Sequence, residues 1–152
     1  MILVSSCLAG VECRYNATHR LVDKIHELVE QGRAKMVCPE LLGGFQTPRE
    51  PAEIVNGTGE DVLDGRAKIV EKSGSDVTEL YLLGAQRTLE LARELQATII
   101  VLKEYSPSCG GKMVYDGSFS NTRMVGVGVT TALLRREGFK VISEEEFVDL
   151  MM

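Results

Sequence analysis

Four cysteines, Cys7, Cys13, Cys38 and Cys109, are the residues of this 152-residue chain best suited to chemistry. No Cys-x-x-Cys pair occurs among them. A zinc ribbon and a thioredoxin-type dithiol both depend on such close local spacing, so neither fits. Soft thiolates drawn from separate segments suit an iron–sulfur cluster or an open metal site. A four-iron cluster held by only three of them leaves one iron open to a substrate as a Lewis acid. Cys is also a common small core residue, and that bland reading is strongest for Cys13. Cys7, Cys38 and Cys109 instead stand beside Gly, Pro or polar residues rather than inside apolar runs.

Other candidates cluster around these thiols. In Cys38-Pro39-Glu40, the Glu40 carboxylate is placed to act as a general base, the alternative being a helix-start or solvated charge. Ser106-Pro107-Ser108-Cys109-Gly110-Gly111 offers two hydroxyls, and its glycines allow a close backbone approach to a ligand, unless the run is only a turn. Lys103 is a cation that can orient or neutralise an anionic group, and Arg14-Tyr15-Asn16 combines a cation, a ring and an amide suited to a flat polar heterocycle. Arg49 reads as a structural ion pair more than a ligand clamp, and His19 and His26 as surface or interface residues. Gly126-x-Gly128 opens a helix that either holds an anion on its amides or packs tightly.

The elements that must position these residues alternate. Ile2 to Ser5 and Ala34 to Val37 read as strands, with a helix carrying Leu21, Val22, Ile25, Leu28 and Val29 between them and ending at Gly32. The segment from Leu41 to Glu53, broken by Gly43, Gly44, Pro48 and Pro51, reads as a functional loop, and Ile54 to Glu71 as a hairpin. A helix over about Val77 to Leu95 is expected, capped by Asp76 with Glu79, with Leu80, Leu83, Gly84, Thr88, Leu91 and Leu95 on one face. The apolar run Thr98 to Leu102 suits a parallel strand covered on both faces, and Val114 to Phe119 a second hairpin turning at Asp116-Gly117. A helix after Gly128, a strand over Phe139 to Ile142 and a terminal helix capped by Ser143 with Glu146 complete the chain.

This order predicts an α/β, Rossmann-like open sheet of about four mainly parallel strands, with helices on both faces and a small β-hairpin appendage. Ligands of such sheets bind beyond the carboxyl ends of the strands, where strand order reverses. Cys7, Cys38 and Cys109 each fall just after a predicted strand, which brings three thiols from distant parts of the sequence to one rim.

Composition bounds the rest. With 44% hydrophobic residues, one core suffices without disulfide or metal staples, because a chain of this length buries roughly 70% of its unfolded surface. A net charge of -5 argues against docking on nucleic acid or anionic membrane. No apolar run approaches a membrane span and no signal peptide opens the chain, so a cytoplasmic protein with reduced thiols is expected.

Cys7-Leu-Ala-Gly, Arg14-Tyr15-Asn16, Cys38-Pro39-Glu40 with Gly43-Gly44, Thr47-Pro48-Arg49, Ser106-Pro107-Ser108-Cys109-Gly110 and Tyr115-Asp116-Gly117, in that order, resemble a bacterial and archaeal family that includes the thiouracil desulfidases. The resemblance covers nearly the whole chain as one domain, 1–152. It implies a [4Fe-4S] cluster on Cys7, Cys38 and Cys109, with Cys13 left out, and removal of sulfur from a thiolated pyrimidine to give uracil and sulfide without redox change. By this reading the partner is a small thiolated nucleobase, Glu40, Ser106 and Ser108 are catalytic, and Arg14, Tyr15 and Lys103 contact the substrate. Glu50 and Glu53 compete with Glu40 for the base. The alternatives are cluster-dependent sulfur transfer to tRNA, which the acidic charge disfavours, a non-catalytic module with structural metal or free thiols, and a thiol redox protein.

Overall fold

A computed structural model describes residues 1–6, 16–44, 50–103 and 106–151, with backbone only for 16–22 and 151. The chain runs β1 (Ile2–Ser5), α1 (Asn16–Glu30), β2 (Ala34–Val37), α2 (Pro39–Leu42), β3 (Ala52–Val55), α3 (Gly59–Leu63), β4 (Lys68–Glu71), α4 (Thr78–Glu94), β5 (Ile99–Leu102), β6 (Met113–Tyr115), β7 (Arg123–Val125), α5 (Val129–Arg136), β8 (Val141–Ser143) and α6 (Glu144–Met151). Four strands form an all-parallel sheet in the order β2-β1-β5-β8. The chain leaves β1 for β2 on one side and later returns to β5 on the other, so strand order reverses at the carboxyl ends of β1 and β5.

Alternation along the strands separates two cores. Leu3, Ile100, Leu102 and Val141 face Leu89 and Ala92 of α4 and Leu134 of α5. Val4, Val101 and Ile142 point the other way, onto Ile25 and Leu28 of α1 and Phe147 of α6. The sheet is thus covered by helices on both faces, as the continuous apolar strands require. A third cluster, Ile54, Val62, Ile69, Tyr81, Ala85 and Val129, fixes the antiparallel β3–β4 pair to α4 and α5.

The structure departs from the sequence reading in several places. The Ile54 to Glu71 hairpin contains the turn of helix α3, whose Thr58 and Asp61 form a capping box. Helix α4 starts at Thr78 without a side-chain cap, because Asp76 Oδ1 accepts from the Thr78 amide at 2.9 Å and its hydroxyl at 2.6 Å instead. Its buried face is Tyr81, Gly84, Ala85, Thr88, Leu89 and Ala92, while Leu80 and Leu83 are each 39% exposed. Small residues decide this rotation: a Cβ on Gly84 would lie 2.1 Å from Pro39 O, and one on Gly43 would lie 2.2 Å from Leu80 O. Only glycines let α2 sit so close to α4.

The second hairpin, β6–β7, does not turn at Asp116-Gly117 but carries the whole of 116–122 as its loop. Asp116 accepts the Ser118 amide at 2.9 Å, and Glu53 of β3 accepts the amides of Gly117 at 2.9 Å and Phe119 at 3.2 Å. The last strand lies at Val141–Ser143, later than expected. The reciprocal Ser143 and Glu146 cap of α6 is present as read from the sequence.

Candidate active site

Cys38 follows β2 directly and is the N-cap residue of α2. Cys109 lies in the loop after β5 and is 4% exposed, and both are free thiols. Strands β2 and β5 flank β1, and the register pairs Ser5 with Val37 and Val4 with Val101. Two thiols therefore stand beyond the strands on either side of the one whose continuation carries Cys7. Cys7 itself, with Cys13, Arg14, Tyr15 and Arg49, lies outside the described residues.

The Cys109 loop is held from within and from α5. Ser106 Oγ accepts the amides of Ser108 at 3.0 Å and Cys109 at 3.2 Å. Gly128, Val129 and Thr130 donate their amides to Gly110, Pro107 and Ser108, each at 2.8 Å, and the Thr131 hydroxyl donates to Cys109 O at 2.9 Å. A Cβ at Gly128 would fall 2.4 Å from the Ser108 carbonyl carbon, so the Gly126-x-Gly128 signal is close packing rather than an anion site. Ser108 is 1% exposed, its hydroxyl lies 2.7 Å from Thr130 Oγ1, and Cys109 Sγ stands 3.6 Å from it.

Glu40 joins the two cysteine motifs. Its Oε2 accepts from the Tyr81 hydroxyl at 3.2 Å, and its Oε1 lies at 3.5 Å from the Ser106 hydroxyl. Glu40, Glu53, Lys103, Ser106, Tyr115 and Phe119 are among the residues lining a cavity of about 830 Å³. Ser108 does not line it. Phe119 and Asn121 adopt positive φ, 56° and 63°. Such a conformation in a bulky residue is held only by its surroundings, here the Glu53 carboxylate. Near the rim, the Ser118 hydroxyl and amide hold the Asp116 carboxyl below its ordinary range.

Residues 2–146 match the family model described as 2-thiouracil desulfurase. The chain belongs to the 2-thiouracil desulfurase family. It is 60% identical over 151 residues to the uncharacterized protein YbbK of Bacillus subtilis (strain 168), a match that covers 99% of this chain and all of that one. Among solved structures it is similar to the [4Fe-4S]-dependent thiouracil desulfidase TudS, with a TM-score of 0.79 and 37% identity, covering 99% of this chain and 94% of that one.

Within the desulfurase family, the chemistry of the donors fits an iron–sulfur cluster: Cys38 and Cys109 are free thiols in the segments that follow β2 and β5. The described residues alone assemble no group of three metal ligands, Cys7 lying outside them. Of the residues expected to be catalytic, Glu40 and Ser106 line the cavity and Ser108 does not, and Lys103, expected to contact the substrate, lines it too. Missed by that reading were Tyr81, which interrupts the leucines of α4, and the Thr130-Thr131 pair that secures the cysteine loop. The aromatic wall of Tyr115 and Phe119 was also missed, although Tyr115-Asp116-Gly117 belongs to the family pattern. His26 is exposed, and no described helix is long and apolar enough to cross a membrane.

Proposed function

We propose that this chain, acting as one domain over 1–152 in the cytoplasm, hydrolyses the carbon–sulfur bond of a thiouracil-like base to give uracil and hydrogen sulfide. The observation that carries the reading is Glu40, two residues after Cys38, bonded to Tyr81 and placed beside Ser106, three residues before Cys109, at a cavity that Glu40, Tyr81 and Ser106 all line. Cys7, Cys38 and Cys109 would hold a [4Fe-4S] cluster, and its open iron would supply a soft Lewis acid for the thiocarbonyl sulfur.

The chain's own groups do the rest. Glu40 takes a proton from the water whose oxygen bonds to the ring carbon. Tyr81 and Ser106 hold its two oxygens towards that water. Once Glu40 carries the proton, the Ser106 hydroxyl is released to hydrogen-bond the ring; Glu40 passes this first proton to the sulfur, then takes the second from the added hydroxyl as the carbonyl forms and the carbon–sulfur bond breaks, and hands it on to complete hydrogen sulfide. Water and thiocarbonyl thus become carbonyl and hydrogen sulfide, with no electron gained or lost. Lys103 at the cavity wall, with Arg14 and Tyr15, orients the base. Ser108 acts from behind the Cys109 sulfur.

The test is Glu40→Gln in anaerobically reconstituted protein. Visible cluster absorbance is retained, while sulfide release from 2-thiouracil falls about 100-fold or more, the usual size of a general-base contribution. Undiminished release by this variant would remove Glu40 from the mechanism.

A further inference from the structure

Three carboxylates line the cavity, and they differ in what their oxygens do. Glu40 directs its two oxygens to Tyr81 and Ser106. Glu50 accepts the Ser73 amide on Oε1 at 3.1 Å and the Ser73 hydroxyl on Oε2 at 3.0 Å. Glu53 uses only Oε1, which accepts both loop amides, from Gly117 and Phe119. Among the described residues its Oε2 has no partner, although Glu53 is only 9% exposed. No fully buried side-chain oxygen or nitrogen among them lacks a hydrogen bond, so Oε2 retains some accessible surface, and Glu53 lines the cavity. Two backbone amides fix the carboxylate, which leaves Oε2 little freedom to turn away.

A fixed carboxylate oxygen at an otherwise enclosed position is an acceptor in search of a donor. The aromatic wall beside it says which kind. Phe119 is tied to the same Glu53 Oε1 through its amide, in a positive-φ conformation. Arg123 lies over the Tyr115 ring, 5.9 Å from its centroid, and stiffens that side. The site thus pairs a flat apolar surface with a charged acceptor, which matches a planar heterocycle carrying an N–H in its plane.

We infer that Glu53 is a recognition residue that accepts a ring N–H of the substrate pyrimidine, and that Phe119, held by the same carboxylate, flanks the ring. This rests on the thiopyrimidine reading above and adds to it a requirement for an unsubstituted ring N–H. Glu53 takes no part in proton transfer to the water. Glu40 keeps that role.

The experiment measures equilibrium binding of 2-thiouracil and of its N1,N3-dimethyl analogue to cluster-reconstituted wild-type protein and to Glu53→Gln. Gln keeps an oxygen for the loop amides but presents an NH2 where the ring offers its own N–H. The wild type binds the dimethyl analogue roughly ten- to hundred-fold more weakly than 2-thiouracil, the usual worth of a hydrogen bond to a charged group. Glu53→Gln loses a similar factor for 2-thiouracil, and its preference over the dimethyl analogue collapses, with cluster absorbance retained. Equal binding of both compounds by the wild type overturns the inference, even if the variant does not fold. So does a variant that discriminates as the wild type does. If the cluster-loaded wild type neither binds nor desulfurises 2-thiouracil, the thiopyrimidine reading itself falls and takes this one with it.

Discussion

Replacing Gly84 by Ala separates packing from chemistry in this site. Its Cβ would lie 2.1 Å from Pro39 O, and such contacts are not sustained below 3.0 Å, so α2 must retreat from α4 by about 0.9 Å. Side-chain rotation cannot absorb this, because the obstructing atom belongs to the backbone. Alanine gains about 1 kcal/mol of helix propensity over glycine, while overpacking costs about 1–3 kcal/mol, so the net loss of stability is about 0–2 kcal/mol. In a chain of this length that lowers Tm by only a few degrees, roughly 2–4 °C per kcal/mol. The effect on the site is larger. The Tyr81 to Glu40 hydrogen bond is already 3.2 Å long, and a retreat of that size along it breaks the bond. Cys38, the N-cap residue of α2, moves with the same turn. We expect Gly84→Ala to retain most of its stability, to load less cluster per chain in anaerobic reconstitution, and to release sulfide at least 10-fold more slowly per cluster. Tyr81→Phe, which removes the hydrogen bond without a clash, reproduces the slower turnover at normal cluster content. A Gly84→Ala protein with wild-type loading and turnover would refute the idea that the glycine contact between α2 and α4 sets the position of Glu40.

Further outcomes follow from the same structure. Changing Cys7, Cys38 or Cys109 singly to Ser abolishes the visible absorbance of the reconstituted cluster, whereas Cys13→Ser leaves it intact. Thr131→Val removes the hydroxyl that holds Cys109 O at 2.9 Å, and lowers stability by about 1 kcal/mol, measurable by denaturant unfolding. Arg136 bonds to Asp64, whose carboxyl it holds below the ordinary value of 3.8. A depressed carboxylate stabilises the fold above its unfolded value, and that contribution is lost as pH falls through the folded one. The Tm difference between wild type and Arg136→Ala is therefore greatest near neutral pH and narrows as pH falls through and below the ordinary value of 3.8. Added salt shrinks it as well, since the pair is partly exposed.

What could be read from the sequence was local. The runs Ile2 to Ser5, Ala34 to Val37 and Ile99 to Leu102 are short, mostly apolar and cut off by polar residues or Pro, so the strands and the placing of Cys38 and Cys109 beyond two of them were legible. The buried face of α4 was legible in part. Of the expected face, Gly84 and Thr88 are buried and Leu91 and Leu95 pack against the core, but the glycine contacts with α2 turn the helix so that Leu80 and Leu83 face outward. The 116–122 loop was read as a two-residue turn because Asp116-Gly117 favours one. Its actual length is set by Glu53, 64 and 66 residues away in sequence from the amides it holds. Glu40 was legible as a candidate from its neighbours, but its partners, 41 and 66 residues distant, were not.

These long-range contacts also determine which groups are left to meet a substrate. The glycine-led start of α5 has the form of an anion site, yet Gly128, Val129 and Thr130 all spend their amides on the loop that presents Cys109. Ser106 Oγ likewise takes the Ser108 and Cys109 amides. Backbone donors are thus consumed in making that loop rigid, and a rigid loop is what a cysteine needs if it is to act as a ligand in fixed geometry. Under the proposed function, recognition then falls to side chains that line the cavity from other elements: Glu53 from β3, Lys103 from the end of β5, and Phe119 from the loop between β6 and β7. Substitutions there should alter which base is accepted while leaving the cysteine loop in place, whereas substitutions at Gly128 or Thr131 should loosen the loop for every substrate alike.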